Sequence, residues 1–389
     1  MDKIQKLFLN LLLPEPERGL LEDIEPGHKE WIFETAKAHS LFALVFSQIE
    51  RFKNELNGGF YTAFTSSYKR AFLTSAVVSA LQEKTEKEIL STLESSGIPA
   101  VVIKGNSLAK RIYGDPNSRT STDIDILIKR EDAERAEDAL LSLGLEPEED
   151  MPLRYCLSRI HHATYHHPET KQGVEIHWSF GIPYLFDLGS EDIWREVKRD
   201  AEGLSLSDEM TLLMLLIHHH SHSFRELRIL TDILWVLHRL KNRSTGYRIE
   251  KLIEKAGLRK VYGLTIGQIQ DVWPQVREDE KLNALFRISE NMELPGVIKG
   301  YFTIRLEGQK GGVHLYRDKF IARFLLKNMG RTLTSFFRTL LPPAVAVEEI
   351  YGKSTILNHL RFILWRLKDW TGTGRKSHAT SKKKSQDAP

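Results

Sequence analysis

Cysteine is almost absent: Cys156 is the only one in 389 residues. That excludes an internal disulfide framework and any multi-cysteine zinc site. Long apolar runs are missing too, since "LLMLLI" at 212–217 and "LLPPAVAV" at 340–347 fall far short of the roughly 18 to 20 residues that span a bilayer. No transmembrane helix is expected. In the opening stretch "MDKIQKLFLNLLLPEPERG", Asn10 interrupts the apolar patch and acids follow where a small-residue cleavage site would stand. It reads as an amphipathic helix and not as a secretion signal. A strong excess of one charge is also lacking, with 55 Lys and Arg against 52 Asp and Glu. The tail 372–389 holds five Lys or Arg and one Asp, so of the formal +3 it accounts for +4 and the rest of the chain for −1. That body is not the basic object expected of a dedicated nucleic-acid binder. The tail, poor in apolar residues, is expected to be disordered and solvated. These absences favour the cytoplasm.

What is present has a clear order. Residues 1–95 carry apolar residues at helical spacing, in "WIFETAKAHSLFALVFSQIERF" and "YKRAFLTSAVVSALQEKTEKEILSTLESSGI", and Gly97 and Pro99 stop the second run. Between 96 and 204 the pattern changes. "PAVVIKG" is a short β-branched run, "NSLAKRIYG" returns to helical spacing, and "STDIDILIK" alternates with period two. "REDAERAEDALLSLG" is a charged amphipathic helix, and "ATYHHPETKQGVEIHWSF" reads as two strands around a turn-rich loop. From Ser207, a plausible N-cap with acids in the first turn, residues 205–371 return to helices, with Pro342 and Pro343 breaking one of them. There is no internal repeat. The expected class is α+β: a small mixed-sheet core at 96–204, flanked by helical regions at 1–95 and 205–371, with the basic tail 372–389 beyond.

Asp123 and Asp125 in "TDIDILI" pose the functional question. Residues two apart on a strand face the same side, so Ile124, Ile126 and Ile128 go to the core and the two aspartates project together. Like charges that close need a cationic partner, and hard oxygen ligands suit Mg2+ or Mn2+. In "VEIHW" the same alternation sets Glu175 and His177 on one face. If that strand lies beside the first, Glu175 becomes a third carboxylate, the set that two cations about 3.5–4 Å apart require in phosphoryl transfer. Upstream, Gly105 ends a strand just before a helix, where free amides form an anion seat, with Lys104 and Arg119 placed to add charge.

"IKG", then Tyr113-Gly-Asp-Pro, Arg119, "TDIDILI" and, some fifty residues on, "VEIHW" together resemble the DNA polymerase beta-type nucleotidyltransferase superfamily. The closest likeness is to the bacterial group of uncharacterised nucleotidyltransferases, from about 85 to 240. The resemblance implies metal-dependent transfer of a nucleoside monophosphate from an NTP to a hydroxyl acceptor, with pyrophosphate released. It maps Asp123 and Asp125 onto the paired metal-binding aspartates, Glu175 onto the third carboxylate, and Gly105 onto the glycine of the triphosphate-binding turn. Many members have Gly-Ser there; here Gly105-Asn106-Ser107 leaves open whether Asn106 or Ser107 takes the serine's place. The acceptor is open among a sugar phosphate, another small molecule, a tRNA end and a protein side chain.

The "HHHSH" run at 218–222 has the i, i+4 histidines of a helical zinc pair but lacks the glutamate of a metalloprotease motif. On a continuous helix, about 100° per residue would put His218, His222, Arg225 and Asp232 in one polar stripe able to face the cleft, or to pair at an interface. "SRIHHATYHH" is open in the same way: only some of His161, His162, His166 and His167 can face the site. Two other readings compete. One is a non-catalytic module that binds nucleotide or a partner; the other is attachment to RNA or to an anionic membrane surface, making the protein peripheral, through basic helices such as "RDKFIARFLLKNMGRTLTSFFRTLL" and "RFILWRLKDW" and the tail.

Overall fold

The computed structural model describes residues 2–148, 153–182, 185–200, 203–243, 246–289 and 353–371, with isolated positions between 304 and 348. The chain divides into two compact units, Met1–Gln309 with Leu325–Lys327, and Lys310–Phe324 with Asn328–Pro389. The first holds every element discussed below except the helix Ile356–Thr371, which contains the whole of "RFILWRLKDW". The tail 372–389 and nearly all of 317–343, with the paired prolines, lie outside the described residues.

The opening stretch forms the helix Lys3–Leu11, capped by Asp2, whose carboxylate accepts from Gln5 N–H at 2.8 Å. Asn10, the residue that interrupts the apolar patch, is fully buried. Its amide clamps Glu17, donating to the carbonyl at 3.0 Å and accepting from the N–H at 2.9 Å. Two tryptophans from the later helices, Trp235 and Trp273, donate at 2.8 Å to the carbonyls of Leu12 and Leu9. A buried polar group must find such a partner, so these bonds fix how the first helix docks.

The helix Gly58–Ser95 ends as its sequence predicts. Gly97 takes φ +68° and Ile98 N–H returns to the Leu93 carbonyl at 2.9 Å, a left-handed C-terminal cap. The chain then enters a five-stranded mixed sheet of β1 (Ala100–Val102), β2 (Asp123–Ile128), β3 (Glu146–Pro147), β4 (His162–His166) and β5 (Gly173–His177), in the spatial order β1-β2-β5-β4-β3. Only β2 and β5 run parallel. The architecture is α+β, as the alternation of patterns along the chain indicates.

One face of this sheet is the core. Ile124, Ile126 and Ile128 of β2 meet Val174 and Ile176 of β5 and Ala163 and Tyr165 of β4. Ile89 and Leu93 of the long helix, Ala136 and Leu140 of the helix Ala133–Ser142, and the buried Cys156 cover them. Each buried isoleucine contributes about 1.5–3 kcal/mol, which is what holds the strand register: a slip by one residue would turn all three isoleucines to the opposite face. A separate hairpin, β6 (Val197–Asp200) with β7 (Gly203–Leu206), leads into Ser207, whose hydroxyl caps the helix Asp208–Ser221 by accepting from Met210 N–H at 3.1 Å.

The stripe through His218, His222, Arg225 and Asp232 does not lie on one helix. The first helix stops at Ser221, Ser223 and Phe224 both take φ +57°, and a second helix starts at Leu227 and runs to Leu240. The break is held by burial of the Phe224 side chain and by Gln268 Nε2, which donates to the Phe224 carbonyl at 2.8 Å. Packing therefore overrides the helical period of "HHHSHSFRELR".

Candidate active site

Register builds the site on the face opposite the core. Asp125 pairs with Glu175, which pairs in turn with Thr164 across β5; Leu127 pairs with His177 and that with His162, and Asp123 with Gly173 and that with His166. Paired residues on neighbouring strands point to the same side, so these rows put two carboxylates and two imidazoles side by side. Gly173 presents no side chain beside Asp123.

Lys104 arrives by the same logic. Val102 of β1 is opposite Ile126, and Ile103 N–H still donates to the Asp125 carbonyl at 3.0 Å. The chain leaves the sheet one residue later, so Lys104 stands beside Asp125 and its ammonium nitrogen reaches Oδ1 at 2.5 Å. Gly105 follows with φ +63°, a left-handed conformation that favours glycine, and opens the helix Gly105–Tyr113. The anion seat expected there is thus a strand end, a left-handed glycine and a helix start.

Asp125 is only 2% exposed. Burial alone would raise its pKa, but the Lys104 ammonium and the His177 ring outweigh it and hold the carboxyl well below the usual carboxylate range. His177 Nε2 lies 3.0 Å from Asp125 Oδ1 and 3.0 Å from Glu175 Oε2. Burial works against its protonation, yet the two carboxylates prevail and the imidazole is raised above its ordinary value. Glu175 is half-buried, and against the upward push of burial its contact with His177 draws it down. His162 approaches from the other side, Nε2 at 4.0 Å from Glu175 Oε1, and burial beside His177 lowers it to about 4.

Asp125, Glu175 and His177 bring ligand atoms within 4.8 Å of one another, and so do His161, His162 and His177. The oxygen donors of Asp125 and Glu175 fit a hard divalent cation. Asp123 lies on the same face at the half-exposed end of β2 and is not in that tight group.

Other anticipated residues have different partners. Asn106 is buried and turned to the long helix, donating to the Ser79 carbonyl at 2.8 Å, and Ser107 donates to Glu86 Oε1 at 3.0 Å. Burial lifts Glu86 to about 7, against the pull of that bond. Arg119 and Asp232, both buried, form an ion pair with Nε to Oδ2 at 3.2 Å, and Tyr113 donates its hydroxyl to the other oxygen of Asp232. His218 packs its ring 4.5 Å from that of His222, which in turn pairs with Glu226. Burial, with the charge of Lys104 next, keeps His218 well below its ordinary value, so it is neutral in the field of the site. Arg225 is half-buried in the break between those helices.

Along the sequence Tyr113 carries only the resemblance, with no task of its own, and Glu86 is not singled out. The signal for Glu86 was available: a glutamate on the face of the long helix that also carries Ile89 and Leu93 must be buried and so needs a donor.

No curated protein and no solved structure is significantly similar to the chain. A family model described as uncharacterised nucleotidyltransferase does match, over residues 25–274. That span takes in the whole sheet, the Lys104-Gly105 turn and the Asp125–Glu175 pair, and on it the chain belongs to the uncharacterised nucleotidyltransferase family.

Proposed function

We propose that this protein transfers a nucleoside monophosphate from an NTP to a hydroxyl acceptor and releases pyrophosphate. The observation that carries the reading is the register of β2 and β5, which sets Asp125 directly beside Glu175 next to a glycine turn at a helix start. Asp123, Asp125 and Glu175 would hold Mg2+ or Mn2+. When bound, such cations neutralise the triphosphate and lower the pKa of the attacking hydroxyl.

The chain's own residues have definable tasks. Lys104 and His177 keep Asp125 ionised, so the carboxylate is ready to accept a cation at neutral pH. The amides at the start of the helix Gly105–Tyr113 and the Lys104 ammonium bind phosphate oxygens. In the reaction the acceptor oxygen bonds to the α-phosphorus, the bond from that phosphorus to the β-phosphate oxygen breaks, and the acceptor proton passes to water. Positioning and charge neutralisation supply the rate, so no covalent nucleophile of the protein is needed.

Isothermal calorimetry of each NTP with and without Mg2+ tests this. Mg2+-dependent binding that disappears in the Asp123→Asn, Asp125→Asn double variant supports it and selects the NTP for an acceptor screen. A folded protein that binds no NTP would instead be a non-catalytic partner-binding module. Among the described residues no helix is long and apolar enough to cross a membrane. Association with RNA or an anionic membrane through 372–389 would appear as salt-sensitive binding lost on deleting that tail.

A further inference from the structure

His161, His162 and His177 converge beside the carboxylates. Their ring centroids are 4.6, 5.2 and 5.7 Å apart, and one ring nitrogen of each comes within 4.8 Å of the other two. The backbone forces this meeting: His162 of β4 is in register with His177 of β5, and His161 precedes β4, its carbonyl accepting from Trp178 N–H at 3.0 Å. His177 is nine-tenths buried or more.

A neutral imidazole carries one N–H and one bare lone pair. His177 presents Nε2 to both Asp125 and Glu175, so that nitrogen holds the hydrogen and Nδ1 holds the lone pair. Nδ1 of His177 is shut off from solvent and has no hydrogen-bond partner among the described residues, and the same is true of Nδ1 in His161 and in His162. Each of the three clustered rings therefore carries a buried nitrogen without a partner, which is costly unless something meets it. Metal-ligating histidines commonly donate their other N–H to a carboxylate, which sets the tautomer and raises ligand basicity. His177 has that arrangement.

We infer that His161, His162 and His177 form a second cation site, built on imidazoles beside the carboxylate site, that takes a nitrogen-preferring divalent transition ion of the Zn2+ class. Imidazole donors favour such ions over Mg2+. Around one zinc ion each nitrogen sits at about 2.0–2.1 Å, so the rings must close in from their present spacing. Glu175 Oε1, 4.0 Å from His162 Nε2, is an oxygen able to complete the set. Through the Nε2 contacts of His177, an ion on the imidazoles would also fix Asp125 and Glu175 in place.

The test uses the full chain stripped with chelator, titrated calorimetrically with ZnCl2 in the presence of millimolar Mg2+ and without NTP. One equivalent of zinc should bind. His161→Ala and His162→Ala should each weaken it by at least about tenfold, the lower bound for losing even an outer partner of such a site. Asp123→Asn and His222→Ala should not weaken it, and thermal melting checks the fold of each variant. In the wild type, Co2+ should give the intense visible absorption of a nitrogen-rich, low-coordinate ion, a readout that needs no variant. No zinc binding, competition by Mg2+ at equal strength, unchanged affinity in both His161→Ala and His162→Ala, loss in His222→Ala, or only the weak spectrum of six-coordinate oxygen ligation would each overturn the site. Since Mg2+-dependent NTP binding is read separately on Asp123→Asn, failure here leaves the proposed transferase reading untouched, and the reverse holds.

Discussion

The Lys104 ammonium sits 2.5 Å from Asp125 Oδ1 at the edge of the core sheet, and His177 holds the same oxygen at 3.0 Å. An aspartate on a buried strand, a costly residue to place there, is thereby provided with an ammonium and an imidazole N–H from its own chain.

Lys104→Met should destabilise the protein at pH 7 by about 3–5 kcal/mol, since removing one partner leaves a buried carboxylate uncompensated. Asp125 has a depressed pKa in the folded state, so its contribution is present above the unfolded value of 3.8 and is lost as pH falls further. Denaturant midpoints across a pH series should therefore show wild type and variant converging below about pH 4. A gap that stays constant would mean that Lys104 acts through packing alone.

Asp123 is half-exposed, so Asp123→Asn is the cleaner probe of metal binding. We expect Mg2+-dependent NTP affinity to fall by at least about tenfold, or about 1.4 kcal/mol, with an unchanged melting temperature. Glu175→Gln should reduce turnover more than NTP binding. Equal loss of both would remove the division of labour among the three carboxylates.

Glu86 gives a pH dependence of opposite sign to Asp125. Its folded pKa of about 7 lies above the ordinary value of 4.5, so its stabilising contribution is complete below pH 4.5, declines as pH rises through 7, and is gone above it. Glu86→Gln should flatten that decline and raise stability at pH 8 by on the order of 3 kcal/mol. Urea denaturation of the two proteins at pH 5 and pH 8 measures it; parallel curves would mean that the burial of Glu86 carries no cost.

Arg119 separates structure from binding. If its role is the buried pair with Asp232, Arg119→Met should cost about 3–5 kcal/mol of stability, and NTP affinity measured on the folded fraction should stay the same. A stable variant with weakened NTP binding would assign the guanidinium to phosphate instead.

Much of this was legible along the chain. Period-two alternation in "TDIDILI" and "VEIHW" assigns the strands and the core face, and Gly97 and Ser207 mark the helix ends where they occur. Other features were not. Whether Asn106 or Ser107 took the place of the family's serine was open along the chain, and the bond of Ser107 to Glu86 depends on the long helix lying across it. The polar stripe from His218 to Asp232 rests on an unbroken helix, and a buried phenylalanine with a glutamine 44 residues later breaks it.

Which residues share a face can be read along the chain, because strand and helix periods follow from local backbone geometry, and so can the need of two aspartates on a buried strand for compensation. What compensates Asp125 is settled by the fold. The parallel pairing of β2 with β5 brings Glu175 and His177 to Asp125 from about fifty residues away, the β1–β2 ladder delivers Lys104, and Arg119 meets Asp232 across 113 residues. Such meetings depend on strand order and register, which hydrophobic burial selects across the whole unit and which no local period encodes.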